Sequence, residues 1–316
     1  MMSILGHFKG VRIRKGVATF PHTGVEFPLN PAFFISAIPV VKINAYLLVL
    51  KWKRAITGAA PIASMAFYPQ PSGPWYNAWL AARMGGIDLI DDPNTAEAVF
   101  IFDDKTESDI GKKLGAKMKA KAINHRINDI SKTHVGKVFK DVFGYSVDID
   151  PLTYVGKAVE KSDANATHDG QVVECPLTSD LIKPESVYQK LIDSTFGGAR
   201  SEDLRMAYVG GDIPVVFRKY KLIEKRFGTD YDHVDVWTAD EAFSSEEQTQ
   251  LIKFCETMGL DFGAVDVMRD KHDGRIYVVD VNKTCMPVLC LSQKSQRAAL
   301  RSIAVSLTKL INKTKA

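Results

Sequence analysis

The chain has 316 residues, of which 46% are hydrophobic and 25% charged, and its 41 Lys and Arg against 37 Asp and Glu leave a net charge of +4. These proportions are typical of a globular protein with about two domains, and they exclude collagen-like, disordered and coiled-coil chains. The near balance of charge argues against a nucleic-acid-binding protein, which normally carries a strongly basic domain. Four irregularly spaced cysteines argue against a disulfide framework and favour a cytoplasmic location.

The N-terminal third contains one long apolar segment, residues 31–50. Pro39, Lys42 and Asn44 interrupt it, and a transmembrane helix of about 20 apolar residues rarely accepts such residues at mid-span. We therefore predict a buried helix or a buried pair of strands. The cluster that follows it comprises Lys51, Trp52, Lys53 and Arg54. This cluster leaves one minor alternative open, a peripheral contact of residues 31–54 with an anionic membrane.

The rest of this third predicts an α/β domain. Residues 65–79 are rich in Pro, Gly and aromatic side chains and predict a loop, and residues 76–84 predict a helix. Residues 98–102 predict a short buried strand that ends at Asp103 and Asp104, and ligands favour such carboxyl ends in open α/β sheets. A turn or a helix cap is the simpler interpretation of these two aspartates.

Several common motifs are absent from the sequence. It contains no GxxxxGK[ST] P-loop, no GxGxxG after a strand, no HExxH and no GxSxG. The seven histidines show no spacing typical of metal ligands. A P-loop NTPase is therefore excluded.

The strongest signal is a hairpin near the C-terminus. Residues 263–268 and 275–281 alternate or run apolar as strands do, and the turn-forming residues 272–274 lie between them. If the glycine of that turn takes the left-handed position of a three-residue loop, Lys271 faces Arg275 across the hairpin.

Counting outward from that pair places Asp266 opposite Asp280, with Asn282 two residues further along the same face. Paired positions lie about 5 Å apart, and like charges placed so close cost stability unless something compensates them. Mg²⁺ is the first candidate because it binds carboxylate oxygens together with substrate phosphates. The alternative is a solvated hairpin whose face Lys or Arg neutralises, although the apolar run 276–279 favours a buried strand.

Two segments with a possible phosphate-binding role lie upstream. Residues 154–161 predict a strand that ends in Lys161, and the small polar residues 162–170 follow it. Backbone N–H groups in such a loop can fold over phosphates, and the lysine adds a positive charge. An ordinary hairpin turn is the alternative. Residues 186–192 then predict an apolar strand.

A second hairpin follows, with strands at residues 203–211 and 213–219. It places Arg205, Arg218 and Lys219 near matching ends of the two strands. Arginine forks suit a phosphate or an acyl-phosphate oxyanion, whereas a solvated edge strand would carry such residues to prevent aggregation.

The order of these segments resembles an ATP-grasp domain over residues 124–287. The stretch from Asp280 to Thr284, DVNKT, is the most specific part, because members of this family usually place Glu or Asp, one residue, and then Asn there. In the family these residues bind Mg²⁺ that bridges the phosphates of ATP. The resemblance therefore implies ATP and Mg²⁺, or alternatively Mn²⁺, as cofactors, and Asp266, Asp280 and Asn282 as metal ligands.

The resemblance also implies a set of nucleotide contacts. Residues 130–137 open a helix similar to the family's first lysine-bearing helix, so Lys137 becomes the first nucleotide lysine and Lys132 the alternative. Lys161 matches the second lysine, and residues 162–170 match the loop that closes over the phosphates. The hinge that would read the adenine comprises Tyr188, Gln189, Lys190 and Leu191.

Asp203-Leu-Arg205 followed by Arg218-Lys219 resembles the D-x-R…R pattern of the glutamate ligases that modify ribosomal proteins. It implies catalytic roles for Arg205 and Arg218 and a nucleotide contact for Lys219. The sequence departs from the family pattern in three places: the loop carries only one glycine, Gly170; Gln189 replaces a common acidic residue; and Ala264 stands where D-alanine–D-alanine ligases have an arginine.

The implied fold is α/β (α+β): two α+β subdomains that grip ATP, preceded by an N-terminal α/β domain. We place the N-terminal, substrate-side domain at residues 1–123, the small subdomain at 124–192 and the C-terminal subdomain with the metal hairpin at 193–316. Residues 293–313 predict a helix that packs against the sheet of the last subdomain.

The resemblance implies a Mg²⁺-dependent ligase that activates a carboxylate as an acyl phosphate and joins it to an amine. The substrate would be a small molecule or a peptide with a carboxylate, together with an amine acceptor. Two alternatives stay open: a sugar or polyol kinase of ATP-grasp type, and a non-catalytic nucleotide-binding protein of a glycan or secondary-metabolite pathway. We expect no nucleic-acid partner, and a homodimer is a further alternative to a monomer.

Overall fold

The computed structural model describes residues 12–19, 26–165, 167, 169–228 and 231–315. The chain divides into two compact units. The first comprises residues 1–104, 110–125 and 283–316, and the second comprises residues 105–109 and 126–282.

The first unit contains a four-stranded parallel sheet in the order β5-β4-β6-β7. Its strands are β4 (Ser64–Pro69), β5 (Asp88–Leu89), β6 (Ala98–Phe102) and β7 (Ala122–Ile123). A separate antiparallel sheet contains β1 (Arg12–Arg14), β2 (Val17–Thr19) and β3 (Glu26–Pro28). The helices of this unit are α1 (Pro31–Ile56), α2 (Asn77–Gly85), α3 (Ile110–Lys113), α4 (Ala116–Lys119) and α8 (Gln293–Lys315).

The prediction of a loop over residues 65–79 is wrong for residues 65–69, which form strand β4 in the middle of the parallel sheet, whereas residues 70–76 do lie outside helices and strands. Met65 and Ala66 are fully buried there. A strand of a parallel sheet is buried on both faces, so it shows a continuous apolar run instead of an alternation. The prediction of a strand at residues 98–102 is correct, and all five residues of β6 are buried.

The apolar segment forms one continuous helix, α1, and most of that helix is not buried. Asn30 caps its N-terminus by accepting a hydrogen bond from the Phe33 N–H. Only Ile43 and Leu47 are buried among its described side chains, so the prediction of a buried helix is wrong. By length and composition alone, residues 33–56 form a helix that could cross a membrane, the one such helix in the described part of the chain.

The C-terminal helix α8 belongs to the first unit, where it packs against α1 and α2. The sequence predicts a C-terminal subdomain over residues 193–316 that includes this helix, packed on the subdomain's sheet. That expectation is wrong, because α8 contacts helices of the N-terminal segment and its apolar stripe is buried there.

The second unit contains a three-stranded antiparallel sheet in the order β10-β8-β9, formed by β8 (Gly156–Ser162), β9 (Gln171–Cys175) and β10 (Ser186–Lys190). Helix α5 (Lys132–Phe143) precedes it in the chain. Ser131 caps the start of α5, and Gly144, with φ of 78°, ends it in the left-handed conformation that favours glycine.

The larger sheet of this unit has the order β14-β13-β12-β15-β16, with the short β11 (Thr195–Phe196) paired to β12. Its other strands are β12 (Arg200–Val209), β13 (Asp212–Leu222), β14 (His233–Trp237), β15 (Phe262–Arg269) and β16 (Ile276–Asn282). Helices α6 (Ala239–Ala242) and α7 (Ser245–Met258) precede β15, and each begins with a capping box.

One face of this sheet packs into the core of the second unit. Leu204, Met206, Val265 and Val267 are buried there against α5 and α7. Because side chains alternate between the faces of a strand, the residues between these positions point to the opposite face. That opposite face carries the charged side chains considered next.

Candidate functional site

A cavity of about 290 Å³ lies on the charged face of the larger sheet, within the second unit. Its walls come from β8, β10, β12, β13, β15 and β16, and from the loop after β13. The charged side chains that line it are Lys132, Lys161, Asp169, Lys190, Asp203, Arg205, Lys219, Lys221, Arg226, Asp266 and Asp280. The cavity therefore collects cations and carboxylates in one place, as a site for a polyanion and a metal would require.

The predicted pairing of Asp266 with Asp280 is correct, although the hairpin reaches it by a different route. The turn closes on Asp270 and Arg275, so Lys271 does not face Arg275. A β-bulge next to Asp266 then shifts the register by one residue. Without that bulge Asp280 would point to the opposite face, so the irregularity itself brings the two carboxylates together.

Asp266 is tied to the cations beside it. The Arg205 guanidinium lies 2.9 Å from one carboxylate oxygen, and Lys219 Nζ lies 3.3 Å from the other. Burial alone would raise the pKa of Asp266. The charges of Arg205, Lys219 and Lys221 outweigh it and lower the pKa to about 2, so this carboxylate is ionised at neutral pH.

Asp280 is in the opposite situation. It is partly buried, and burial together with the charge of Asp266 raises its pKa. Its Oδ1 atom is buried without a hydrogen-bond partner. An unpaired buried carboxylate oxygen is costly, so the side chain is arranged for a ligand that supplies positive charge.

Asn282 lies one pair further along the same face, opposite Ala264 and beyond the residues that line the cavity. Among the described residues, no group of three or more His, Cys, Asp or Glu side chains could hold a metal ion. A cation here would therefore use the two carboxylates, with the amide oxygen of Asn282 as the third protein oxygen of the predicted set.

The two candidate lysines of α5 differ in position. Lys132 is buried, lines the cavity and donates a 2.5 Å hydrogen bond to the Ala164 carbonyl. Lys137 is exposed and does not line it. The preference for Lys137 is therefore wrong and the alternative, Lys132, is supported, because position 132 lies in the first turn of the helix and position 137 points outward.

Lys161 lines the cavity as expected. Its Nζ donates a 3.1 Å hydrogen bond to the Val279 carbonyl, next to Asp280. Burial lowers the pKa of Lys161 to about 8, although the charge of Asp280 opposes the shift. Lys161 is partly buried, and an ammonium group in this position is suited to receive an anion.

Arg205 and Arg218 lie on opposite faces of the sheet. Arg205 is paired directly with Asp266 across the strands, on the cavity face. Arg218 is paired with Leu204, on the core face, where its guanidinium bonds to Glu202 at 2.5 Å and stacks 4.2 Å from the Trp237 ring centroid. The catalytic role expected for Arg218 is therefore wrong.

The cause is a second bulge, between Ala207 and Val209. In an unbulged hairpin with the Gly210-Gly211 turn, Arg218 would share the face of Arg205. The bulge instead brings Lys219 and Lys221 to that face. Lys219 is among the predicted site residues and Lys221 is not, although the two-residue period of a strand places Lys221 on the same face as Lys219.

Three of the four predicted hinge residues lie at the cavity. Gln189, Lys190 and Leu191 line the cavity, but Tyr188 does not, and its hydroxyl accepts a hydrogen bond from the Lys183 N–H. The backbone groups of two hinge residues are also in use, since the Lys190 N–H bonds to the Val147 carbonyl and the Tyr188 carbonyl accepts from Ile149.

The Gln189 side chain is likewise occupied, because its amide donates to Asp148 at 2.9 Å. Of the predicted hinge, Leu191 lines the cavity together with the apolar side chains of Val159, Met268 and Val279.

The small polar loop after Lys161 borders the cavity through Thr167, Asp169 and Gly170. Ala166 and His168 lie outside the described residues, so part of the expected phosphate loop is not described. Gly170 packs against Phe227, where a Cβ atom would come within 2.7 Å of the ring. Asp103 and Asp104, the other carboxylates noted in the sequence, belong to the first unit and do not line this cavity.

The second unit thus combines two antiparallel sheets and their helices with a cavity that is lined by lysines, arginines and paired aspartates. The ATP-grasp ligase PsnB, in complex with precursor peptide PsnA2 and AMPPNP, aligns with 79% of this chain and 99% of its own at 13% sequence identity and a TM-score of 0.52. This similarity shows that the chain has the ATP-grasp fold, which confirms the fold predicted from the sequence.

Two further solved structures are similar at lower TM-scores. D-alanine–D-alanine ligase from Bacillus anthracis, complexed with ATP, aligns with 79% of this chain and 98% of its own at 12% identity and a TM-score of 0.47. PsnB with its minimal precursor aligns with 62% of this chain and 64% of its own, at 16% identity and a TM-score of 0.42. No protein-family model and no curated protein sequence matches the chain.

Proposed function

We propose that this protein is an ATP-dependent ligase that activates a carboxylate as an acyl phosphate and joins it to an amine. The observation that carries the proposal is the pair of carboxylates, Asp266 and Asp280, on the wall of a cavity that seven lysine and arginine side chains also line. Such a site suits the triphosphate of ATP with a divalent cation. The fold, which is that of ATP-grasp ligases, supports the same reaction class.

The residues fit a divalent cation such as Mg²⁺. Asp280 has a buried carboxylate oxygen without a partner, and burial together with the charge of Asp266 raises its pKa. Asp266, Asp280 and the amide oxygen of Asn282 would hold the cation, because hard cations prefer oxygen ligands. When bound, the cation would supply positive charge against the phosphate oxygens.

The cationic side chains would neutralise the charge that develops during transfer. Lys132 and Lys161 line the side of the cavity formed by α5 and β8, whereas Arg205, Lys219 and Lys221 line the sheet. Arg205 and Lys219 bond to Asp266 when the chain is alone. Both side chains could exchange these bonds for bonds to the oxygens of the acyl phosphate.

The bond changes of the proposed reaction balance without a further reactant. A carboxylate oxygen attacks the γ-phosphorus, the bond from that phosphorus to the bridging oxygen breaks, and ADP leaves. The amine nitrogen then attacks the acyl carbon, the bond to the phosphate oxygen breaks, and inorganic phosphate leaves as the nitrogen loses its proton. The chain's contribution is to position the groups and exclude water, because water would hydrolyse the acyl phosphate.

The proposal specifies the carboxylate substrate only as a chemical class. PsnB was solved with a precursor peptide, which supports a peptide or amino-acid carboxylate as the first class to test. We expect no nucleic-acid substrate, since the cavity offers paired carboxylates beside its cations.

A hydroxylamine trap tests the reaction type directly. We would incubate the protein with Mg²⁺–ATP, a panel of amino acids and short peptides, and hydroxylamine, which converts acyl phosphates into hydroxamates. We expect a hydroxamate and an equal amount of ADP with the correct carboxylate. ADP release without a hydroxamate, in the presence of a polyol or sugar, would contradict the ligase and identify a kinase.

A further inference from the structure

The two units carry opposite charges that the chain's small net charge conceals. The first unit contains 21 Lys and Arg against 7 Asp and Glu, a net charge of +14, and the second contains 20 against 30, a net charge of −10. Such an asymmetry between parts of a chain is typical of a protein that contacts an anionic surface with one of them.

The positive charge is concentrated around α1 and α8. Between residues 27 and 87, and again from residue 283 to the last residue, the sequence contains no Asp or Glu. The helices α1 and α8, which pack against each other, together carry ten Lys and Arg. No acidic side chain on either helix offsets them.

The second observation is an apolar stripe along the exposed side of α1. Its members are large hydrophobic side chains with 45 to 81% of their surface exposed: Phe34, Ile35, Ile38, Val41, Leu48, Val49, Trp52 and Ile56. At 3.6 residues per turn they fall within about 140° of the helix circumference and extend about 33 Å along it. Contiguous apolar surface of this size marks an interaction site.

Positive side chains border one edge of this stripe. Lys42 and Lys53 project from α1 at that edge. The next position around the helix is Tyr46, whose ring lies 4.0 Å from the Arg297 guanidinium and whose hydroxyl accepts a 3.5 Å contact from Arg301. The stripe is therefore apolar along its middle and cationic along its border.

The other side of α1 is attached to the first unit. Ile43 and Leu47 are buried, the Asn44 amide donates to the Pro74 carbonyl at 2.9 Å, and the Arg54 guanidinium donates to the carbonyls of Arg83 and Met84. A helix that crossed a bilayer would have to break these contacts and take Lys42 into hydrocarbon. Among the described residues of α1, the large apolar side chains that stay exposed are those of the stripe.

We propose that the first unit binds the surface of an anionic lipid bilayer, with α1 lying in the interfacial plane and its apolar stripe in the acyl-chain boundary. Hydrocarbon matches a stripe that offers no hydrogen-bonding group along its middle, and anionic headgroups match the cationic border. A nucleic acid would use the basic side chains and leave the stripe exposed. An anionic surface would not attract the second unit, because that unit has an excess of carboxylates.

Vesicle flotation of the full chain tests this proposal. We expect wild type to float with vesicles of phosphatidylcholine and phosphatidylglycerol, to float much less with phosphatidylcholine alone, and to be released by high salt. The double substitution Leu48→Glu/Trp52→Glu should lower binding by about tenfold or more, because each carboxylate enters the acyl-chain boundary. Lys42→Gln/Lys53→Gln should also lower binding by about tenfold or more.

The matched control is Val155→Glu/Val172→Glu, which makes the same kind of change at two exposed valines of the second unit. It should float as wild type does. Tryptophan emission should shift to shorter wavelength on adding anionic vesicles, and Trp52→Phe should abolish the shift.

Four results would overturn the proposal. Two of them are the absence of wild-type binding at excess anionic vesicles and equal flotation of wild type and the Leu48→Glu/Trp52→Glu variant. The third is retention of wild type in the vesicles after alkaline carbonate, which would show that α1 spans the bilayer. The fourth is a wild-type dimer in solution that the same variant converts to monomer, which would make the stripe an interface between copies of the chain.

Discussion

The two faces of the large sheet in the second unit differ in what their side chains do. The core face holds Leu204, Met206 and Val267 in close packing, and Arg218 on the same face pairs with Glu202 and stacks on aromatic rings. The cavity face holds Arg205, Asp266 and Asp280. One oxygen of Asp280 is buried without a partner, the pKa of Asp266 is lowered and that of Asp280 is raised. The same strands therefore pack the core on one face and gather charged side chains on the other.

The largest effect is expected on the core face. Leu204→Ala should lower the free energy of unfolding by about 2–5 kcal/mol, because the side chain is buried in the core and leaves a cavity. Chemical denaturation measures it. The turnover per folded molecule should stay at the wild-type value, and a selective loss of turnover would show that the two faces are not separable.

On the cavity face, Asp280→Asn should lower turnover by about 10² or more and leave the protein as stable as wild type or more stable. The raised pKa means that folding opposes the ionised form, so removing the charge removes a penalty. Asp235→Asn on the core-side edge is the control and should keep turnover. A large fall in the melting temperature of Asp280→Asn would contradict this assignment.

Arg205 and Arg218 lie on neighbouring strands but on opposite faces of the sheet. Arg205→Ala should lower turnover by about 10², because it removes a cation from the cavity. Arg218→Ala should keep turnover and lower the free energy of unfolding by about 1–3 kcal/mol, since it breaks the pair with Glu202 and the contact with Trp237. If the two variants exchanged these phenotypes, the strand register described here would be wrong.

A smaller effect is expected for the lysines of α5. Lys132→Met should weaken ATP binding about tenfold, the value of one charge-assisted contact, whereas Lys137→Met should not change it. Both substitutions keep an unbranched side chain on the same helix. Equilibrium binding of a fluorescent ATP analogue measures the difference, and equal affinities for both variants would remove Lys132 from the site.

The smallest effect concerns the start of α7, on the core side. Glu247 caps this helix and bonds to Arg269 at 2.6 and 2.9 Å. Burial raises the pKa of Glu247, but these bonds outweigh it and lower the pKa. The ionised form therefore adds stability above the ordinary pKa of Glu, and this is lost as the pH falls through the lowered value.

Glu247→Gln should accordingly cost about 1 kcal/mol at neutral pH and progressively less in acid. Urea unfolding of both proteins over a series of pH values measures the difference. A cost that did not change with pH would show that the carboxylate charge plays no part.

Much of the fold and part of the site could be predicted from the sequence. The two-residue period of the strands and the turn residues gave the hairpin from β15 to β16 and its paired aspartates. The β-bulges could not be predicted, because they depend on packing across the whole sheet. One of them brings Asp280 to the cavity despite a wrongly assumed turn, and the other turns Arg218 away from it.

In the first unit, the sequence led to two wrong predictions. Strand β4 was missed because its apolar run lies beside prolines and glycines, and helix α1 was expected in the core because its sequence is apolar. Hydrophobic sequence predicts burial only on average, since an exposed apolar face can serve a partner. The charge of the two units, which the total of +4 hides, appears only once the boundaries between them are known.

The most direct test of the site is calorimetric titration of Mg²⁺–ATP into wild type and Asp280→Ala. We expect micromolar binding to wild type and a large loss of affinity in the variant, because Asp280 lines the cavity and has a carboxylate oxygen without a partner. Equal binding to both proteins would contradict the assignment of the carboxylate pair. No binding to wild type would contradict the nucleotide site itself.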